Sequence, residues 1–170
     1  MKVQDLCRRK PNTCLAEANL AVAVAKLWEG DSGALIVVDA SDRPVAVLTD
    51  RDIAIALGTR DVPASAIRVS EVMSKRLYTC LVNDDVRTAI RIMVRNGVRR
   101  LPVIDQEAHV AGMLSVNDLV LEARPARTGK SEDLTWADLV PALDVLFRPS
   151  RSRIPDNMMG EAAIFATVRA

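Results

Sequence analysis

The strongest constraint on this chain is that it repeats itself. Moved along by 66 residues, the sequence meets itself without a gap: Val3 falls on Val69, Thr13-Cys14-Leu15 on Thr79-Cys80-Leu81, and Ala23 on Ala89. Leu35, Val37 and Asp39 fall on Leu101, Val103 and Asp105, then Leu48 on Leu114 and Asp52 on Asp118. A register held over more than fifty residues is a poor candidate for chance, and it fixes a fold of two like units. A unit of about sixty residues is marginal alone, so the two are expected to share an interface.

Each copy reads as the same run of elements. Thr13-Cys14-Leu15 and Tyr78-Thr79-Cys80-Leu81 are short strand candidates. In the second copy Val86, Ala89, Ile90, Met93 and Val94 recur at helical spacing, with Asn83 as expected N-cap and Gly97 as the stop. The counterpart, about Ala16 to Trp28, is alanine-rich and apolar nearly all round. Such a helix is expected to be covered on more than one side. A hairpin follows, Ala34 to Val38 turning through Asp39-Ala40-Ser41-Asp42 into Pro44 to Leu48, and Leu101 to Ile104 turning through Asp105-Gln106-Glu107 into Val110 to Leu114. A last helix opens at Thr49 or Ser115. The unit is β-α-β-β-α and the class is α+β.

The corner between the last strand and last helix carries the chemistry. Ala46-Val47-Leu48-Thr49-Asp50-Arg51-Asp52-Ile53 returns as Gly112-Met113-Leu114-Ser115-Val116-Asn117-Asp118-Leu119. Each is an apolar run ending in a hydroxyl residue, with an aspartate three positions on. S/T-x-x-D is also a capping box, in which the hydroxyl and the carboxylate satisfy backbone amides of their own helix. The alternative is a binding site, where a carboxylate accepts from the vicinal hydroxyls of a ribose and the helix N-terminus favours a phosphate.

Composition narrows the partners. Aromatic residues are 3% of the chain and the formal charge is +1, which removes both base stacking and a basic patch and argues against nucleic acid. The longest apolar stretch, Leu20 to Trp28, is broken by Lys26 and is too short for a bilayer. The N-terminus has no signal-peptide pattern, and three cysteines without a C-x-x-C pair fit reduced thiols. The cytoplasm is the expected location.

Tandem β-α-β-β-α units carrying these corners resemble a pair of cystathionine-β-synthase (CBS) domains, the Bateman module. The likeness rests on Leu101-Pro102-Val103-Ile104-Asp105 with Gly112 to Asp118 and their first-copy counterparts, and spans about residues 1 to 123. It implies a non-enzymatic regulatory module with no required cofactor. Such a module binds AMP, ADP, ATP or S-adenosylmethionine between the repeats, senses energy state, and pairs as a homodimer. It also implies the ribose role for Asp52 and Asp118, the phosphate side for Thr49 and Ser115, and adenine against Thr13-Cys14 and Thr79-Cys80. Arg99 and Arg100, with Arg51 and its counterpart Asn117, are expected near the phosphates. Ala46 in place of Gly112 is expected to crowd a ligand in the first copy. The homodimer surface is expected on the first helix of each repeat, and the regulated protein is not identified by the sequence. A dimerisation scaffold that binds no nucleotide is the alternative.

Other signals are set aside. Gly129-Lys130-Ser131 lacks the first glycine and the preceding strand of a P-loop. His109 is the only histidine and matches Arg43 at a hairpin mouth. Cys14 and Cys80 read as small apolar strand residues. The expected limits are 1–60 and 67–123 for the repeats, 124–133 for a linker, 134–149 for a C-terminal helix and 150–170 for a tail. The helix follows from Trp136, Leu139, Val140, Leu143, Leu146 and Phe147. Asp138 as its N-cap would put Pro141 in the first turn.

Overall fold

In the computed structural model, which describes residues 1–125 and 133–148, the repeat is visible strand for strand. The first copy supplies β2 (Thr13–Leu15), α2 (Leu20–Glu29), β3 (Ala34–Val38), β4 (Pro44–Thr49) and α3 (Asp50–Arg60). The second supplies β5 (Cys80–Leu81), α4 (Val86–Asn96), β6 (Arg100–Ile104), β7 (Val110–Ser115) and α5 (Val116–Glu122). Before them come α1 (Val3–Leu6) and β1 (Arg8–Arg9), and after them α6 (Trp136–Phe147). The class is α+β, as the repeat implies.

In each unit the first strand runs parallel to the second and the second antiparallel to the third, giving sheets ordered β2-β3-β4 and β1-β7-β6-β5. Both hairpins turn the same way. Asp39 Oδ1 accepts from the Ser41 and Arg43 amides, and Asp105 Oδ1 from those of Glu107 and His109. Asp42 and Ala108, 66 apart, both adopt left-handed φ, 58° and 65°. All five residues of β3 are buried, because both sheet faces are covered. Leu35 and Val37 face the helices of their own unit, while Ala34, Ile36 and Val38 pack with Met113 across the boundary between repeats.

The packed units exchange their leading segments. The amides of Val3 and Gln4 donate to Asp84 O and Val82 O of the second repeat, and 66 residues on, those of Val69 and Ser70 donate to Ala18 O and Ala16 O of the first. Val3 is accordingly buried in the second core, and Ile67 and Val69 in the first. Strand β1 then pairs antiparallel with β7, Arg9 opposite Gly112. Gly112 is required there because a Cβ would lie 2.9 Å from both Arg8 O and Cys7 Sγ. The glycine thus admits the crossing chain, and the reading of it as room for a ligand is corrected.

Two helix starts differ from expectation. Helix α4 is capped by Asp85, whose Oδ1 accepts from the Arg87 amide, and not by Asn83. Its counterpart α2 starts at Leu20, later than Ala16, capped by Asn19 onto the Val22 amide. Asn19 and Asp85 are 66 apart, so the repeat itself marks the cap. Helix α6 starts at Trp136 with Thr135 as N-cap, and Asp138, the third residue of the helix, closes its capping box. Pro141 therefore lies inside the helix. The carbonyl that loses its donor, on Ala137, belongs to an exposed residue, so it is open to solvent rather than buried unpaired. Gly97 ends α4 with φ 64°, as expected.

Helix α6 is anchored to the second repeat. Leu134, Leu139 and Ala142 are buried in the same cluster as Ile90, Met93 and Leu119, at about 1.5–3 kcal/mol for each fully buried leucine. The P-loop-like Gly129-Lys130-Ser131, most of the expected linker and the expected tail lie outside the described residues.

Candidate ligand-binding cleft

Both repeated corners are capping boxes. Asp52 Oδ2 accepts from the Thr49 amide at 3.0 Å and from Thr49 Oγ1 at 2.6 Å, and the Asp52 amide returns a bond to Oγ1 at 3.3 Å. In the second copy the distances are 2.7 Å, 2.6 Å and 3.3 Å for Ser115 and Asp118. Each hydroxyl proton is thereby committed to the carboxylate. A phosphate-side role for Thr49 and Ser115 as donors is not available in this arrangement. Each carboxylate likewise has one oxygen engaged and one, Oδ1, without a protein donor among the described residues.

A third corner of the same kind supplies the control. Asp138 Oδ2 accepts from the Thr135 amide and hydroxyl at 3.0 and 2.7 Å, but its Oδ1 is taken by Arg87 Nε at 3.0 Å. The capping box is thus a structural unit in its own right. What separates Asp118 is an open oxygen together with its surroundings.

Asp118, Ser115, Asn117 and Arg100 line a cavity of about 330 Å³ between the repeats. This lies at the lower end of the range of about 300–1,000 Å³ found for small-molecule sites. The opposite wall comes from the crossing segment, Arg8 and Lys10 to Asn12, and from Gly30 to Ala34 after α2. Two non-glycine residues on this wall have left-handed backbones, Lys10 (φ 56°) and Asp31 (φ 43°). Asn12 lies over Gly30 so closely that a Cβ there would collide with its side-chain amide. Arg8, Lys10 and Arg100 form no ion pair among the described residues, which leaves three cations at one cavity with Asp31 and Asp118.

The sequence reading finds part of this site. Arg100, Ser115, Asn117 and Asp118 are brought together, whereas Thr49, Arg51 and Asp52 are not on this cavity. Thr13 and Cys14 are displaced from the wall by residues 10–12, and Cys14 is in the first core. Thr79 precedes β5, and Cys80 is in the second core. Burial pushes the Cys80 thiol up to about 12 and raises that of Cys14. Arg99 faces α6, its guanidinium 5.2 Å from the centre of the Phe147 ring. Arg8, Lys10 and Asn12 were missed. Their signal was the 66-residue shift, which places residues 8–12 ahead of a strand as residues 74–78 stand ahead of β5.

Comparison with known proteins decides the family: the CBS domain pattern matches twice, at residues 3–59 and 69–124. The chain belongs to the CBS-domain family. As a CBS pair it is 32% identical over 124 residues to the uncharacterized 17.7 kDa protein in the bps2 3′ region of Acidianus ambivalens, covering 71% of each chain. It spans about half or less of several other curated relatives. CBS domain protein PAE2072 from Pyrobaculum aerophilum, solved in complex with AMP, has a TM-score of 0.66 at 25% identity, over 72% of this chain and 92% of that one. The CBS domain pair of MJ0100, solved with 5′-methylthioadenosine and S-adenosyl-L-methionine, has a TM-score of 0.65 at 22% identity, over 71% and 94%. Among the described residues no helix is long and apolar enough to cross a membrane.

Proposed function

We propose that this CBS pair is a regulatory module, not an enzyme, that binds an adenosine-containing nucleotide in the cleft at Ser115–Asp118. The observation that carries this is the convergence of Arg8, Lys10 and Arg100 with the open Oδ1 of Asp118 at one cavity between repeats. Asp118 Oδ1 accepts from the ribose hydroxyls, and the three cations take the phosphates. Pro11, Ala34 and Met113 offer the base an apolar wall. Three cations favour AMP, ADP or ATP over S-adenosylmethionine, whose sulfonium is itself positive. The AMP complex of PAE2072 supports a phosphate-bearing ligand.

The cleft walls belong to both repeats, so a ligand preferring one arrangement shifts their relative placement, within a homodimer or toward a regulated protein. Competition among AMP, ADP and ATP would make the module a reporter of energy state. The third corner favours a second reading, a scaffold in which the caps are structural and no nucleotide binds.

A thermal-shift series with AMP, ADP, ATP, S-adenosylmethionine and NAD separates them. A bound ligand at about 100 times its Kd stabilises by about 2.7 kcal/mol, and Asp118→Asn and Arg100→Gln should each reduce the shift. No shift with any nucleotide would leave the scaffold.

A further inference from the structure

The cleft shares one wall with a second depression. Asp31, Ser32 and Gly33 line the cavity that holds Asp118, and the same three residues line one end of a groove between α2 and α3, where Asp50 joins them. Gly33 is the thin point between the two. A Cβ there would lie 3.1 Å from Arg100 Nη2 and 3.0 Å from Asp50 Oδ2. Arg100 and Asp50 thus press on the same stretch of backbone, and a phosphate held by Arg100 has Asp31 and Asp50 beside it.

The second repeat builds the same corner without either carboxylate. Moved by 66 residues, Asp31 becomes Gly97 and Asp50 becomes Val116. Local structure gives no reason for an acid at Asp31. It follows Gly30, the C-cap of α2, where a helix end disfavours negative charge. It also takes a left-handed φ of 43°, where its counterpart at 64° is a glycine. Asp50 opens α3, which favours an acid, and its Oδ1 accepts from the Arg51 amide. Its Oδ2 is left facing Gly33, and neither carboxylate has an ion-pair partner among the described residues.

We propose that Asp31 and Asp50 limit the length of the phosphate chain, admitting a nucleoside monophosphate and turning away the triphosphate. This rests on the nucleotide reading above and narrows it. One phosphate is matched by Arg8, Lys10 and Arg100, whereas a second or third that continues past Arg100 meets two carboxylates. Like charges this near, in a site open to water, discriminate by about tenfold.

Calorimetric titration of the full chain with AMP, ADP and ATP in EDTA tests this. AMP should bind at least about tenfold tighter than ATP, with ADP between, and the gap should narrow at about 1 M salt, where the screening length falls to about 3 Å. Asp31→Gly, which takes the residue of the second repeat, and Asp50→Asn should together tighten ATP at least about fivefold and AMP by less than about twofold. Should that pair misfold by circular dichroism, Asp31→Asn alone should still tighten ATP more than AMP. ATP as tight as AMP in wild type, a gap indifferent to salt, equal gains for both nucleotides, or a preference for ATP once magnesium is added would each overturn the proposal and leave the nucleotide site standing. Binding of none of the three would remove the nucleotide reading, and this proposal with it.

Discussion

Arg87 grips Asp138 with two parallel hydrogen bonds, Nε to Oδ1 at 3.0 Å and Nη2 to Oδ2 at 3.1 Å, joining α4 to α6. The guanidinium, and then the Thr135 cap, hold the Asp138 carboxyl down to about 2. A folded value below the unfolded one means the pair contributes fully above about pH 4 and loses that contribution as pH falls toward 2. The two side chains are 31% and 26% exposed, so solvent screening leaves about 1 kcal/mol. Arg87→Met should cost at least that much in urea denaturation at pH 7, and the difference from wild type should shrink as the pH is taken through and below 2, leaving only what the Arg87 bond to Asp133 O contributes. A gap that is the same at pH 7 and below pH 2 would contradict the assignment.

The caps give a second expectation. Asp52→Ala and Asp118→Ala remove equivalent capping boxes, and each should lower stability by about 1 kcal/mol. Nucleotide binding should fall with Asp118→Ala alone, because only that corner lines the cavity. Paired urea titrations and calorimetric binding measurements read the two effects separately. Equal loss of binding in both variants would relocate the site.

Gly112 is a third test. An added methyl would sit 2.9 Å from Arg8 O, a backbone atom that cannot swing away. Gly112→Ala should therefore cost about 1–3 kcal/mol and loosen β1, drawing Arg8 out of the cleft. Ala46→Gly, its counterpart, should not affect ligand binding. Chemical denaturation together with amide exchange at Arg8 and Arg9 checks both.

Thiol chemistry gives a fourth. Burial raises the Cys14 thiol, and burial with Asp84 nearby raises that of Cys80 to about 12. In native protein at pH 8, iodoacetamide should leave both unmodified, with half-buried Cys7 the first to react. Labelling followed by peptide mass mapping decides the order, and prompt alkylation of Cys80 would contradict the packing.

The repeat, the hairpins and the corner motif were legible because period and turn chemistry are local properties of the chain. Gly97 ends α4 where a left-handed residue is needed, and a sequence states that directly. The cap of α4 differs from the expected Asn83 because Asn83, Asp84 and Asp85 are all competent caps, and Asp84 is taken by the Leu81 amide in the turn that precedes the helix, which leaves Asp85 to cap it. The role of Pro141 was misjudged for a related reason. Thr135 takes the cap ahead of Asp138, and the carbonyl opposite the interior proline belongs to an exposed residue, so no buried group is left unpaired. Half of the cleft was hidden because Arg8 and Lys10 reach it through a chain crossing. Which half of a duplicated molecule a leading segment joins is a long-range choice that no window of sequence records.

That crossing makes each half the custodian of a piece of the other. Residues 1–7 complete the hydrophobic interior around β5–β7, and residues 67–73 complete that around β2–β4. A cut in the stretch from Asp61 to Ala66 would yield two fragments, each missing the strap that seals it. Such fragments should be poorly ordered apart and regain structure on mixing, so the duplicated chain behaves less like two beads than like a pair of clasped hands.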